Sequence, residues 1–164
     1  MTAPAVLIGV DIVDADRLAR AGDRGGALFR RHLTTSAERD LVADDAVFSV
    51  KESFIKAVGG RPPGFSWHDF EARPERPAAW TGRLLDEASE ELTASTGLTL
   101  TGDASYAVRG ACGRAVLARL APHEDGMAGV ASYEGRVAGA ARWGFGAGLL
   151  VSLAIVFVDR KEGS

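Results

Sequence analysis

Val6 to Val13 is apolar and largely β-branched except at Asp11, a pattern that predicts a buried first strand carrying one carboxylate. Asp14 stands at the N-cap position of a helical segment, Ala15 to Ala21, and the cluster of Gly22, Gly25 and Gly26 predicts its end. Thr35 and Glu38 have the capping-box spacing and predict a short helix through Val42. Between Ala46 and Val58 there is no glycine or proline, and Phe48, Phe54, Ile55 and Val58 form an apolar face at helical spacing. Gly59 and Gly60 predict an abrupt stop to this helix. Trp67 to Ala72 alternates weakly and reads as a strand, and the region of Pro74 and Pro77 reads as a loop. Arg83 to Ser95 is an amphipathic helix closed by Gly97. Leu98 to Leu100, Tyr106 to Arg109 and Ala115 to Leu120 are short candidate strands, followed by a glycine-rich stretch of low charge and a last strand, Leu149 to Val158. No fixed-period repeat is visible. The order of elements predicts an α+β fold, with helices packed on a mostly antiparallel sheet.

The 164 residues suit one domain spanning 1–164. The uncharged run from Trp143 to Val158 falls short of the roughly 20 residues that cross a bilayer, and it contains three glycines and Ser152. A buried strand is therefore expected, not a membrane anchor. The N-terminus lacks the pattern of a signal peptide, and the one cysteine, Cys112, rules out an internal disulfide, so a cytoplasmic location is expected. Cys112 itself reads as a small buried residue. A formal net charge of −3 argues against a dedicated nucleic-acid binder. Arginines nevertheless crowd the first forty residues, among them Arg17, Arg20 and Arg24. Such a cluster fits a solvated helix face or a surface for an acidic protein partner.

The chemistry-bearing candidates are few. Glu52 and Lys56 are four apart on the helix predicted between Ala46 and Val58, so they share a face. Asp11 brought alongside them would give two carboxylates for a hard divalent cation and an ammonium for a phosphate, a site for phosphoryl chemistry. Plainer readings exist for each. Asp11 can bond a following turn, Asp14 can be a helix cap alone, and Glu52 with Lys56 can be an exposed ion pair. His32, His68 and His123 have no metal-ligand spacing and read as loop or surface residues.

Ile8-Gly-Val-Asp-Ile-Val-Asp14 with Arg17 behind it, Leu33-Thr-Thr-Ser-Ala-Glu38, Phe48-Ser-Val-Lys-Glu-Ser-Phe-Ile-Lys-Ala57 with Gly59, and Trp67-His-Asp-Phe-Glu71 occur in that order. Together they resemble the 4'-phosphopantetheinyl transferase superfamily, specifically its short holo-acyl-carrier-protein synthase branch. The resemblance implies transfer of the phosphopantetheine arm of coenzyme A to a serine of an apo acyl carrier protein, with release of adenosine 3',5'-bisphosphate. It implies Mg²⁺ held by Asp11 and Glu52, catalytic roles for Glu52 and Lys56, and coenzyme contacts from Lys56 and Gly59. Lys51 and Arg61 either contact coenzyme phosphates or face solvent. Arg17, Arg20 and Arg24 become candidates for docking the acidic carrier protein, and a homotrimer is expected by analogy.

The sequence also departs from that branch. Val47 replaces an arginine that commonly precedes the aromatic of the Lys-Glu motif. The Ser-x-Ser-His segment usual before the last strand is absent, with either Gly102 or the Gly146 to Gly148 stretch in its place. The region 98–142 is longer than the branch requires. Two other readings therefore stand beside the enzyme: a catalytically silent homologue that binds carrier proteins or a partner subunit, and an unrelated Mg²⁺-dependent phosphate enzyme.

Overall fold

The computed structural model describes residues 4–121 and 136–159. The chain runs β1 (Val6–Asp14), α1 (Ala15–Leu33), α2 (Val47–Val58), a 3-10 turn (Trp67–Asp69), β2 (Phe70–Arg73), α3 (Ala79–Thr96), β3 (Gly102–Val108), α4 (Gly110–Leu120), β4 (Val137–Gly146) and β5 (Leu149–Val158). The strands form one sheet in the order β1-β5-β4-β3-β2, and every pairing is antiparallel. This is the α+β class that the pattern of elements predicts.

Side chains alternate across a strand, so each strand feeds two different cores. On one face, Leu150, Ala154 and Val156 of β5 join Val50, Phe54 and Val58 of α2 and Val116 of α4. On the other, Val151, Leu153, Ile155 and Phe157 pack with Leu85 of α3. Strand β5 lies inside the sheet, between β1 and β4, and is buried on both faces, which is why its sequence is an almost unbroken apolar run.

The seat of α2 on β1 is set by Gly9. A Cβ at Gly9 would lie 2.1 Å from the Ser53 carbonyl oxygen and 2.5 Å from the Ala57 nitrogen. The backbones of strand and helix are thus in direct contact, and only glycine allows it.

Several expectations change. The first helix does not stop at the glycine cluster; it continues to Leu33 with a break at Gly26, whose φ of 53° and ψ of −140° suit glycine alone. Thr35 to Val42 forms turns and not a helix: Glu38 Oε2 does accept from the Thr35 N–H and hydroxyl, both at 3.3 Å, while its Oε1 pairs with Lys51 of α2, so the capping contact closes a turn that is tied to α2. Trp67 to Ala72 divides into the 3-10 turn and β2. Helix α3 starts four residues earlier than the pattern indicates, and Gly97 ends it with φ 76° as expected. Leu98 and Leu100 are buried and Thr99 is exposed, but the stretch forms no strand: it lies against β4 where a Cβ on Gly144 would come 2.1 Å from the Thr99 carbonyl. Ala115 to Leu120 belongs to α4, whose buried Cys112, Val116 and Leu117 recur at helical spacing. The glycines at 110 and 113 obscure that period in the sequence.

The glycine-rich stretch conceals β4. The run from Trp143 to Val158 is two strands, joined by a two-residue turn at Ala147 and Gly148 with φ of 50° and 77°. Two central residues with positive φ match the twist of an antiparallel hairpin. Among the described residues no helix is long and apolar enough to cross a membrane. Cys112 is buried, and burial beside Asp69 pushes its thiol up to about 12.

Because helix backbone occupies the space beside Gly9, Gly9→Ala is expected to destabilise the protein by about 3 kcal/mol or more. Urea denaturation checks this; a loss below about 1 kcal/mol would show that α2 can lift off β1 at little cost.

Candidate functional site

Asp11 faces α2 from β1 and lies opposite Ser152 of β5 in the strand register. Ser49 and Lys56 are seven residues apart on α2, two turns along one face. Lys56 Nζ is 2.7 Å from Asp11 Oδ1, and Ser49 Oγ donates to Asp11 Oδ2 at 2.8 Å. Ser49 Oγ is also 2.9 Å from Ser152 Oγ. The Asp11 side chain is 11% exposed while that of Lys56 is 50% exposed, so the carboxylate is fixed and the ammonium reaches in from solvent.

Glu52 lies on the turn between Ser49 and Lys56. Its Oε1 accepts from Arg61 at 3.1 Å. Arg61, from the loop after α2, spreads its guanidinium over the rings of Phe65 and Trp67, 5.3 and 4.9 Å from their centroids. The stacking holds a half-exposed guanidinium in one place, and each such contact contributes roughly 0.5–1 kcal/mol at an exposed site. Asp11 and Glu52 are thus each paired with a half-exposed cation.

Lys51, a candidate for coenzyme phosphates, is placed elsewhere. Its side chain is fully buried and 2.9 Å from Glu38 Oε1, and its Nζ also donates to the carbonyls of Trp67, at 3.1 Å, and Leu33. Two of the three ammonium donors go to these carbonyls, and the ion pair with Glu38 completes its surroundings. Burial drives its pKa down, opposed by the charge of Glu38. The physical reason for the misplacement is periodicity: Val47, Val50, Lys51, Phe54, Ile55 and Val58 form the buried face of α2, and Lys51 is part of it. The group joins the end of α1, the Thr35–Glu38 turn and the Trp67 turn to α2.

Gly59 is exposed and left-handed at φ 94°, where it ends α2; its N–H and that of Gly60 donate to the carbonyls of Lys56 and Ile55 at 3.2 and 2.9 Å. Arg17, Arg20 and Arg24 are exposed, three and four residues apart on the part of α1 before its break, and so project from one side. His32 and His68 are exposed, with His68 Nε2 3.1 Å from the Arg31 carbonyl; His123 lies outside the described residues. Among the described residues no group of three or more His, Cys, Asp or Glu side chains gathers as a metal cluster.

Sequence reasoning overlooked Ser49, Ser152, Glu38 and the Phe65–Trp67 shelf. Signals existed for two of them. Ser49 shares the helical spacing of Glu52 and Lys56, and Ser152 is the lone polar residue in an apolar strand. The hairpin turn at Ala147 and Gly148 leads into β5, and no histidine stands there.

The model of the 4'-phosphopantetheinyl transferase superfamily matches residues 7–108, the span that holds Asp11, α2 and Arg61. The chain belongs to that superfamily. Its relatives place it in the holo-acyl-carrier-protein synthase-like branch. The holo-[acyl-carrier-protein] synthase of Frankia alni is 38% identical over 108 residues, covering 62% of this chain and 90% of the relative. That of Clavibacter michiganensis subsp. michiganensis is 50% identical over 66 residues, covering 39% of this chain and 54% of the relative. Among solved structures, the apo-ACPS structure of Chronobacterium ammoiniagenes covers 96% of this chain and 100% of its own at 19% identity, with a TM-score of 0.50, a likeness of fold. The superfamily match ends at the close of β3, so α4, β4 and β5, with Ser152, lie beyond it.

Removing one member of a fully buried ion pair leaves the other charge stranded. Lys51→Met is expected to cost about 3–5 kcal/mol, and Lys51→Met combined with Glu38→Gln is expected to recover part of the loss. Denaturation of the two variants measures both; a Lys51→Met protein as stable as the parent would mean that Glu38 finds another partner.

Proposed function

We propose that the protein transfers the 4'-phosphopantetheine arm of coenzyme A to a serine hydroxyl of an apo acyl carrier protein, in a Mg²⁺-dependent reaction that releases adenosine 3',5'-bisphosphate. The observation that carries this reading is the Asp11–Lys56 contact with Glu52 on the same helix, inside the span matched by the superfamily. The name of the relatives, holo-[acyl-carrier-protein] synthase, supports the carrier protein as acceptor.

The donor chemistry fits Mg²⁺. The candidate ligands Asp11 and Glu52 offer only oxygen, and magnesium takes one or two carboxylates and completes its octahedron with water and substrate phosphate. Their present counter-ions, Lys56 and Arg61, are half-exposed, so each presents charge to solvent where a phosphate can meet it. When bound, the ion supplies charge neutralisation on the coenzyme pyrophosphate.

The protein's own groups do the rest. The carrier serine oxygen forms a bond to the phosphorus that bears the pantetheine arm, while the bond from that phosphorus to the bridging oxygen breaks and its electron pair leaves with the bisphosphate. Lys56 offsets the negative charge that gathers on the phosphate oxygens. The serine proton departs through a water oriented by Glu52, since a carboxylate that also holds a cation is a weak base. Arg61, half-exposed beside Glu52, is the cation offered to the coenzyme phosphates, whereas the Gly59 and Gly60 amides are spent on α2 carbonyls. Arg17, Arg20 and Arg24 attract the acidic carrier.

Residues 1–164 act as one domain in this reading, in the cytoplasm. Ile8 and Ile12, each 53% exposed on the edge strand, support self-association, with a homotrimer as the expected form.

The test is the mass of several apo carrier proteins after incubation with the protein, coenzyme A and Mg²⁺. A gain of one phosphopantetheine arm supports the reading, binding without a gain supports the silent homologue, and neither supports an unrelated enzyme. Glu52→Gln is expected to lower kcat by roughly 10²- to 10⁴-fold with the fold retained. Lys56→Ala is expected to lower it by roughly 10²- to 10³-fold. Full activity in Glu52→Gln would mean the site is misassigned. Arg17→Glu is expected to raise KM for the carrier while KM for coenzyme A stays put; an unchanged carrier KM would remove α1 from recognition.

A further inference from the structure

We propose that Ser49 and Ser152 are positioning residues for Asp11: a two-hydroxyl relay from β5 through α2 that occupies Oδ2 and leaves Oδ1 as the single oxygen offered to a divalent cation. The proposal rests on the reading of Asp11 as a metal ligand, and it concerns how that ligand is held.

Direction follows from counting protons. Ser49 has one hydroxyl hydrogen, and a carboxylate oxygen only accepts, so the 2.8 Å contact to Oδ2 uses that hydrogen. The 2.9 Å contact between the two serines must then be donated by Ser152. Both serine side chains are fully buried, and buried hydroxyls need partners. Ser152 sits directly across from Asp11 in the register, and no other polar side chain lies between Leu149 and Val158.

A serine on a buried helix face has a cheaper way to satisfy itself. Ser53, one turn further along α2, bonds to the Val50 carbonyl of its own helix at 2.6 Å. Ser49 does not. It reaches across to β1, and Ser152 supplies the hydrogen that polarises it. The outcome is a carboxylate with one oxygen fixed by the protein and the other facing Lys56, a one-oxygen presentation compatible with the crowded octahedron of Mg²⁺.

The experiment measures Mn²⁺ binding, as a stand-in for Mg²⁺, by electron paramagnetic resonance in the presence of coenzyme A. It compares the full chain with Ser49→Ala, Ser152→Ala and the double variant, with unfolding free energy and the kcat and KM values alongside. Ser49→Ala is expected to weaken Mn²⁺ about tenfold or more. Ser152→Ala, which leaves the bond to Oδ2 in place, is expected to weaken it less. The double variant strands no serine hydroxyl, so it is expected to be at least as stable as Ser49→Ala and yet to keep the weak affinity. A merely structural role predicts the reverse: affinity that returns with stability. That result, or Ser49→Ala binding Mn²⁺ like the parent, overturns the relay while leaving the function standing. A parent protein that binds no Mn²⁺ with coenzyme A removes the metal reading and the relay together. If Ser49→Ala fails to fold, Ser49→Cys, close in size with a weak donor, is expected to show an intermediate loss, and parent-like affinity there counts against the proposal.

Discussion

Backbone contact between β1 and α2 at Gly9 is the constraint on which the site depends. It removes the space a side-chain layer would fill and brings the strand within reach of side chains on the helix. Two residues after Gly9 the same face of the strand carries Asp11, which then meets Ser49 and Lys56 without any long side chain having to stretch. A thicker interface would leave the carboxylate facing apolar side chains, where an unpaired charge costs far more than packing returns.

Around that contact the charges divide by depth. Lys51 and Glu38 are fully buried, and their pairing joins four segments of chain. Lys56 and Arg61 are half-exposed, and each neutralises a carboxylate at the surface. The consecutive residues Lys51 and Glu52 therefore serve different ends because a helix turns by about 100° between them. One fixes the architecture, the other faces substrate in the proposed reaction.

Much of this was legible in the chain. The apolar strand interrupted by Asp11, the uninterrupted helical period of α2 and the Gly59 stop are local signals, and each element appears where the signals place it. The face of Lys51 was legible too, since it shares the period of Val47, Val50, Phe54, Ile55 and Val58; its charge masked the inference. What escaped depends on distant contacts. Nothing local reveals that Gly144 accommodates the Thr99 backbone, that glycines hide the period of α4, or that Ser152 lies across from Asp11, because strand register is decided by the whole sheet. The break in α1 at Gly26, in place of an end, likewise follows from the packing of Leu33 and Phe29 beyond it.

The proposed phosphate-handling site between strand and helix rests on superfamily membership and on the contacts of Asp11. Its most direct test is a crystal of the full chain grown with Mn²⁺ and coenzyme A, with an anomalous difference map calculated at the manganese edge. The account predicts one peak bounded by carboxylate oxygens of Asp11 and Glu52 beside the coenzyme pyrophosphate, with Lys56 turned to a phosphate oxygen. A bound coenzyme whose pyrophosphate and manganese lie away from Asp11 and Glu52 would contradict it.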